Sequence, residues 1–226
     1  MEHKGEKNMI SAVVFDMDGV IFDSEKGVIE CWKEIADKYG IPDIESACRE
    51  CLGINATATR ERMKKRYGQD FPYDEYKKEM SAVFHGKYDG GRLPKKPGVH
   101  ELFEYLKMQG MKIALASSTR RETVMQELGD GGLLHYFDEV VCGDMVERSK
   151  PEPDIFLKAC ELLRVNPAEA YAIEDSYNGI RAAHAAGMKA IMVPDLAEPT
   201  EEMERLAEVI LPSLVEVKKY LDERHL

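Results

Sequence analysis

The chain has 226 residues, with 31 Lys and Arg against 42 Asp and Glu, and a formal net charge of −11 at pH 7. Hydrophobic residues make up 44% and charged residues 32%, the balance of an ordinary globular protein, which excludes disorder as the main state and a low-complexity fibre. The negative charge disfavours nucleic-acid backbones and acidic membrane surfaces, so neither partner is expected.

No apolar run approaches the ~20 residues that cross a bilayer. The polar N-terminus, MEHKGEKNMI, lacks the apolar stretch of a secretory signal. Five widely spaced cysteines indicate reduced thiols, and the lone pair Cys48 and Cys51 is interpreted as ordinary helix residues. A cytoplasmic location is therefore expected.

The first predicted strand is Ile10–Phe15, an apolar and β-branched run. Helical spacing then predicts a helix from Glu25 to Tyr39 and a short helix that Asp43 caps and that runs to about Leu52. Two more helices are predicted at Ala56–Tyr67 and Pro72–His85. The Gly-, Pro- and Lys-rich stretch Gly86–Gly98 predicts a linker or hinge.

Strands and helices alternate after this linker. Strands are predicted at Lys112–Ala116, Glu139–Cys142, Ala170–Ile173, Lys189–Val193 and Glu208–Leu211. Helices are predicted from Val99 to Gly110 and at Thr119–Leu128, Pro153–Leu163 and Asn178–Ala186, before an amphipathic tail. The alternation predicts an α/β fold with a doubly wound parallel sheet. The earlier helices interrupt it, which predicts an inserted all-helical domain at 23–89 and a sheet domain at 1–22 and 90–226.

Ligands of open parallel sheets bind beyond the carboxyl ends of the strands. Most of the predicted strands are followed by a carboxylate, and one is followed by hydroxyls. The residues at these strand ends are Asp16 and Asp18, Ser117 to Thr119, Asp144 and then Lys150, Glu174 and Asp175, and Asp195. If the strands are neighbours, these side chains converge.

Several acids in one pocket require a positive charge to neutralise them. Carboxylate oxygens suit Mg²⁺, and Mg²⁺ in turn suits phosphate. Hydroxyls and backbone N–H groups at a helix N-terminus bind phosphate oxygens, and a lysine offsets the charge of phosphoryl transfer. One carboxylate can serve as the nucleophile while another transfers protons.

Four segments, in this order, resemble the four motifs of the haloacid dehalogenase superfamily, and the resemblance covers essentially the whole chain. They are Asp16–Ser24, Ser117 after a strand, Lys150–Asp154 and Glu174–Ile180. The predicted helical insertion resembles the small cap domain of the branch that contains β-phosphoglucomutases and many small-molecule phosphatases. The resemblance implies a Rossmann-like catalytic core with a helical cap.

The resemblance also implies a role for each matching residue. Asp16 would be the nucleophile that becomes phosphorylated, and Asp18 the general acid and base, whose backbone carbonyl also faces the metal. Ser117 would hold a phosphoryl oxygen, and Lys150 would bridge Asp16 and the transferring phosphoryl group. The implied ligands of Mg²⁺ are Asp16, Asp18, Asp175 and Glu174, the last either directly or as a partner of the direct ligands.

Hydrolysis and a mutase reaction both remain open. Val28 and Ala56 occupy positions where the mutases of this branch have His and Arg, which favours a phosphatase. The loop Ser118, Thr119 and Arg120 resembles the serine-rich loop of the mutases, and Arg120 could bind a second anionic group. A non-catalytic binder of Mg²⁺ and a phospholigand is a third hypothesis, which the complete catalytic set disfavours.

The predicted cap loop, Leu52–Thr57, is expected to face the active site, with Asn55 and Thr57 as candidate substrate contacts. The expected substrate is a small phosphorylated metabolite, such as a sugar phosphate. Cap opening is expected at the two chain crossings, Asp23–Ser24 and Lys87–Lys96. A monomer is expected, because no heptad pattern or large apolar stripe is apparent.

Overall fold

The computed structural model describes residues 10–224 and contains one parallel sheet in the order β3-β2-β1-β4-β5-β6. The strands are β1 (Ala12–Phe15), β2 (Lys112–Ser117), β3 (Glu139–Cys142), β4 (Ala170–Glu174), β5 (Lys189–Met192) and β6 (Val209–Ile210). The predicted α/β fold with a parallel sheet is therefore confirmed. The prediction that the chain has no export signal concerns residues 1–9, which lie outside the described residues.

Four helices separate β1 from the rest of the sheet, and we call them the inserted helices: α1 (Ser24–Tyr39), α2 (Ile44–Arg49), α3 (Ala56–Tyr67) and α4 (Tyr73–Tyr88). The helices that cover the sheet are α5 (Val99–Met108), α6 (Arg121–Asp130), α7 (Asp154–Leu163), α8 (Tyr177–Ala185), α9 (Glu201–Leu206) and α10 (Leu214–Glu223). No helix is predicted at α9 from the sequence. This helix begins at Thr200, whose side-chain oxygen accepts a hydrogen bond from the Met203 N–H.

Alternate residues of β1 face opposite sides of the sheet and belong to two separate apolar cores. Val13 and Phe15 lie in the larger core, where the Phe15 ring meets the ring of Phe103 edge to face at 4.9 Å. Ala12 and Val14 lie in the second core, which α7 and α8 cover. Both faces of the central strand are thus buried, as expected for a doubly wound sheet.

The inserted helices pack on one another, with α1 against α2 and α4, and α3 against α4. The ring of Trp32 stacks on that of Tyr73 at 5.8 Å. The two chain crossings meet, since the Asp23 N–H donates to Pro94 O at 2.9 Å and the Lys96 N–H donates to Ile21 O at 2.8 Å. Among the described residues, no helix is long and apolar enough to span a membrane.

The order of the strands positions the site. The chain runs outward from β1 to β2 and β3, then returns to the other side of β1 to add β4, β5 and β6. The winding therefore reverses between β1 and β4. Loops leave this point in opposite directions and open a crevice beyond the carboxyl ends of the strands, where ligands of such sheets bind.

Candidate active site

Asp16 follows β1 at this reversal point. Its N–H donates to Ile173 O at 2.9 Å, which fixes the backbone of Asp16 against the end of β4. Glu174 ends β4 and Asp175 follows it, so the parallel register brings three carboxylates to one edge of the sheet. One oxygen of each carboxylate lies within 4.8 Å of the others. The predicted convergence of acids is present here.

Lys150 supplies the positive charge of this cluster. Its Nζ atom donates hydrogen bonds to Asp16 Oδ1 at 2.5 Å, to Glu174 Oε1 at 2.6 Å and to Ala116 O at 3.0 Å. The residue is only 1% exposed. Burial lowers the pKa of Lys150, but the charges of Asp16 and Glu174 outweigh it, so that the net change raises the pKa. Lys150 therefore remains a cation beside Asp16.

Lys150 does not fully compensate the negative charge of the Asp16 carboxyl. Burial raises the pKa of Asp16 to about 8, because Lys150 only partly opposes the burial and because Glu174 and Asp18 add negative charge. A nucleophilic carboxylate must be ionised. A further cation near Asp16 would lower this pKa and favour the ionised form.

Asp18 is held by two hydroxyls from different parts of the chain. Ser24 Oγ donates to Asp18 Oδ1 at 2.6 Å, and Thr119 Oγ1 donates to Asp18 Oδ2 at 2.8 Å. Ser24 is the first residue of α1, and Thr119 lies between β2 and α6. The orientation of Asp18 thus depends on an inserted helix as well as on the sheet.

Ser117 ends β2 and is fully buried. Its Oγ accepts a hydrogen bond from the N–H of Thr119 at 3.1 Å, which shapes the turn that leads into α6. Ser117 lies one strand from Asp16, because Phe15 is paired with Leu115 in the β1–β2 register. The predicted phosphate-binding hydroxyl is therefore next to the predicted nucleophile.

Both carboxylate oxygens of Glu174 accept hydrogen bonds. Oε1 accepts from Lys150, and Oε2 accepts from the N–H groups of Asp175 and Ser176, each at 2.9 Å, and from Ser176 Oγ at 3.0 Å. A Cβ atom on Gly179 would lie 1.7 Å from Glu174 Oε1, so only glycine leaves room for this carboxylate. Glu174 thus joins Lys150 to the N-terminus of α8, and it also lies in the carboxylate group that could hold a metal ion.

Asp175 fits a divalent cation. Its side chain is 1% exposed, and the buried Oδ2 atom has no hydrogen-bond partner among the described residues. Burial and the charges of Glu25 and Glu174 raise the pKa of Asp175 well above its usual value. An unpartnered buried carboxylate oxygen beside Asp16, with oxygen donors only, suits a hard cation such as Mg²⁺. Gly19, at φ 83°, lets the backbone pass this carboxylate, since a Cβ atom there would lie 2.4 Å from Asp175 Oδ2.

The loop between α2 and α3 contacts the strand ends, as predicted. Ser118 Oγ donates to Gly53 O at 3.2 Å, and Asn178 Nδ2 donates to Leu52 O at 3.4 Å. Gly53 has a φ of 72°, and a Cβ atom there would lie 2.2 Å from Ser176 Oγ. Glycine therefore permits this close approach of the inserted segment to the site.

The predicted substrate contacts occupy different surroundings. Thr119 binds Asp18, and Ser118 binds the loop at Gly53. Asn55 caps α3 by accepting a hydrogen bond from the Ala58 N–H at 2.9 Å, and Thr57 is exposed. Arg120 is exposed, and its side chain makes no hydrogen bond or ion pair within residues 10–224.

Two residues near the site have no signal in the sequence. Lys77, on α4, is half-buried, and its ammonium makes no hydrogen bond or ion pair in the described part of the chain. Burial lowers the pKa of Lys77, and the nearby Cys48 and Asp18 partly oppose this shift. Glu25, the second residue of α1, lies against Asp175. Nothing in helical periodicity distinguishes either residue from its charged neighbours, Lys78 and Lys26.

Known proteins with similar sequences belong to the family that the four motifs resemble. A profile described as haloacid dehalogenase-like hydrolase matches residues 13–193. A phosphorylated carbohydrates phosphatase of Thermotoga maritima is 33% identical over 195 residues, which is 80% of this chain and 84% of the relative. A β-phosphoglucomutase of Bacillus subtilis is 34% identical over 193 residues, or 81% of this chain and 83% of the relative.

Solved crystal structures share this fold. The crystal structure of CbbY from Rhodobacter sphaeroides, in complex with phosphate, superposes with a TM-score of 0.76 at 29% identity. The match covers 92% of this chain and 96% of that chain. The resemblance stated from the four motifs is therefore confirmed over most of the chain.

Proposed function

Because the chain belongs to the haloacid dehalogenase-like hydrolase family, we propose that it is a Mg²⁺-dependent phosphatase of small phosphorylated metabolites that acts through an aspartyl-phosphate. The observation that carries this proposal is the position of Asp16 between Lys150 and Asp175, with Asp18 two residues further on. This is a complete set for a carboxylate nucleophile, a proton donor and charge compensation.

The first step transfers the phosphoryl group to the protein. A carboxylate oxygen of Asp16 forms a bond to phosphorus while the bond between phosphorus and the ester oxygen breaks. Asp18 donates a proton to the departing alkoxide, which leaves as an alcohol. The Ser117 hydroxyl and the Lys150 ammonium offset the charge of the phosphoryl oxygens.

The second step releases phosphate. Asp18, now a carboxylate, accepts a proton from water as the water oxygen bonds to phosphorus, and the bond from phosphorus to Asp16 breaks. The hydroxyls of Ser24 and Thr119 each donate to one oxygen of Asp18 and orient its carboxyl in the structure. Mg²⁺, bound by Asp16, Asp175 and the backbone carbonyl of Asp18, would neutralise negative charge at the phosphoryl group.

Sugar phosphates are the substrates that we propose. We propose that the inserted helices form a cap domain over the strand ends, with its boundary near residues 22 and 90. Lys77 of this cap is half-buried, and the charge of Asp18 contributes to its electrostatic surroundings. The unpaired ammonium of Lys77 is suited to bind hydroxyl or anionic groups of the leaving alcohol. A relative acts, by its name, on phosphorylated carbohydrates, which supports the same class. We further propose that the protein is a cytoplasmic monomer. Light scattering tests its oligomeric state.

A β-phosphoglucomutase reaction is the second candidate. It is favoured by the 34% identical relative of that name and by Arg120, an exposed cation without a partner in the described segment. Val28 and Ala56, where the mutases have His and Arg, argue against it. Hydrolysis is therefore the preferred reaction.

The test measures phosphate release from a panel of phosphorylated metabolites with Mg²⁺, with EDTA, and with the variant Asp16→Asn. Asp37→Asn is the matched control, because Asp37 is exposed on α1. We expect Mg²⁺-dependent release that only Asp16→Asn abolishes. β-Glucose 1-phosphate with a trace of the 1,6-bisphosphate is included, and glucose 6-phosphate without free phosphate would establish the mutase instead. Binding without turnover of either kind would contradict both reactions.

A further inference from the structure

Asp175 belongs to two groups of carboxylates rather than one. The first group contains Asp16 and Glu174 and is the cluster described above. The second group contains Glu25 and Asp195, and one oxygen from each of Glu25, Asp175 and Asp195 lies within 4.8 Å of the others. Glu25 and Asp195 are not part of the motifs that identify the family, and Glu25 comes from an inserted helix.

The oxygens of the second group lack donors. Glu25 Oε2, Asp175 Oδ2 and Asp195 Oδ2 are all buried, and no N–H or hydroxyl donor of the described residues binds them. The carboxyls of Glu25 and Asp175 lie within hydrogen-bonding reach of each other. The side chains of Asp175 and Asp195 are both more than nine-tenths buried. Buried carboxylate oxygens are ordinarily paired, and two carboxylates at this separation repel unless a shared proton or a cation lies between them.

The nearest lysines neutralise other atoms. Lys150 binds Asp16 and Glu174. Lys26 and Lys96 both bind the opposite oxygen of Asp195, Oδ1, at 3.0 and 2.8 Å. Within residues 10–224, no lysine or arginine is paired with Glu25 or Asp175. Glu25 and Asp175 are therefore the two carboxylates that lack a compensating positive charge.

The same residues also connect the inserted helices to the sheet. Lys26 lies in the first turn of α1, directly after the outgoing crossing, and Lys96 lies in the returning crossing. Asp195, after β5, binds both lysines and so fastens both crossings to the core. Glu25 is one residue from Lys26. A cation that bridges Glu25 and Asp175 would add a third connection at the same hinge.

We propose that Glu25 is part of the divalent-metal centre, where its carboxylate binds the cation at Asp175 or a water of that cation. The cation then ties α1 to the sheet, and metal binding favours the closed position of the inserted helices. Glu25 is a positioning residue in this proposal and takes no part in bond making. The proposal rests on the metal site of the proposed function.

The first test measures metal binding directly. Mn²⁺ is titrated into the full chain and free Mn²⁺ is followed by electron paramagnetic resonance, for the wild type, Glu25→Gln and the control Glu61→Gln. Glu61 is exposed on α3 and has no partner in the described region. We expect Glu25→Gln to weaken Mn²⁺ binding about 10- to 100-fold and Glu61→Gln to have no effect. Equal affinity of the wild type and Glu25→Gln overturns the proposal.

Thermal unfolding separates this role from a merely structural one. Without metal, Glu25→Gln removes like-charge repulsion, so its Tm should equal or exceed that of the wild type. With saturating Mn²⁺, the wild type should gain more in Tm than the variant. A lower Tm of the variant without metal, with an unchanged gain on Mn²⁺ addition, would assign Glu25 a structural role and overturn the proposal.

Hydrogen exchange tests the link to the hinge. Mg²⁺ should slow exchange in residues 23–28 and 87–96 of the wild type but not of Glu25→Gln. Equal slowing in both proteins contradicts the proposed connection. A wild type that binds no Mn²⁺ would instead contradict the metal site of the proposed function, so the two failures are distinguishable.

Discussion

The Nζ atom of Lys150 lies 2.5 Å from Oδ1 of Asp16, although the two residues are 134 positions apart in the chain. This pair connects the end of β1 to the loop after β3, and Glu174 extends it to β4. Catalytic charge balance and the attachment of three strand ends therefore depend on one ammonium group.

Lys150→Met should remove activity and stability together. The substitution leaves Asp16 and Glu174 buried without their cation, and breaking a buried pair in this way costs about 3–5 kcal/mol in the free energy of unfolding. Urea unfolding at pH 7 measures this loss. Lys158→Met is the control, because Lys158 pairs with Glu161 on the surface of α7 and should change stability by less than about 1 kcal/mol. Similar losses in the two variants would contradict the charge-balance argument.

Gly179→Ala should displace the Glu174 carboxylate. The new Cβ atom would lie 1.7 Å from Glu174 Oε1, so the carboxylate must move and Lys150 loses a partner. We expect loss of about 2 kcal/mol or more in stability and a fall in kcat. Gly129→Ala, on α6, has open space around its Cβ and should stabilise the protein by about 0.4–1 kcal/mol. Circular dichroism melting curves and phosphate release test both variants, and a harmless Gly179→Ala would be inconsistent with the observed packing.

Glu127 should make stability depend on pH. Burial raises the pKa of Glu127 from 4.5 to about 8, with Asp18 and Asp89 adding to the shift, and its Oε2 atom has no hydrogen-bond partner in the described chain. Between these two pH values the unfolded chain loses a proton that the folded protein retains. Stability therefore falls as pH rises through this window and is constant above it.

Glu127→Gln should remove this component of the pH dependence. At pH 8 the variant should be more stable than the wild type, by on the order of 1–3 kcal/mol, and near pH 4.5 the two should be equal. Urea unfolding at several pH values measures the difference. Glu122→Gln, exposed on the same helix, should show the wild-type curve.

Lys77→Met should affect substrate binding more than folding. The ammonium is half-buried on α4 without a partner in the described residues, so its removal leaves no unpaired acid and relieves the cost of burying a charge. We expect KM to rise about 10-fold or more with Tm unchanged or slightly higher. Lys78→Met, on the exposed side of α4, is the control. Unchanged KM for every accepted substrate would exclude Lys77 from substrate recognition.

Much of the site could be predicted because local patterns placed its residues at strand ends. The strand before Asp16 and the strand before Glu174 are short apolar runs that end at acids, and parallel sheets bind ligands at that edge. Residue spacing also predicted every inserted helix. The small helix α9 was missed, because six residues that begin with two glutamates carry too little apolar periodicity.

Such local patterns could not predict which side chains become partners when they are distant in the sequence. The motif indicated that Glu174 is a metal ligand or a partner of one, and only the fold shows that its two oxygens also bind Lys150 and the start of α8. Lys77 and Lys78 are indistinguishable in the sequence, and only the packing of α4 on the rest of the chain buries one and exposes the other. Glu127 is one of several acids on α6, and only the tertiary fold buries it.

The sequence by itself determined most of the elements, the order of the motifs and the candidate residues for phosphoryl transfer, because hydrophobic spacing and strand-end position are local properties. Tertiary structure alone decided which charges are paired and which are left without a partner. Glu25 meets Asp175 only because α1 folds back onto the end of β4, and the free energy of a buried charge depends on neighbours that are distant in the chain.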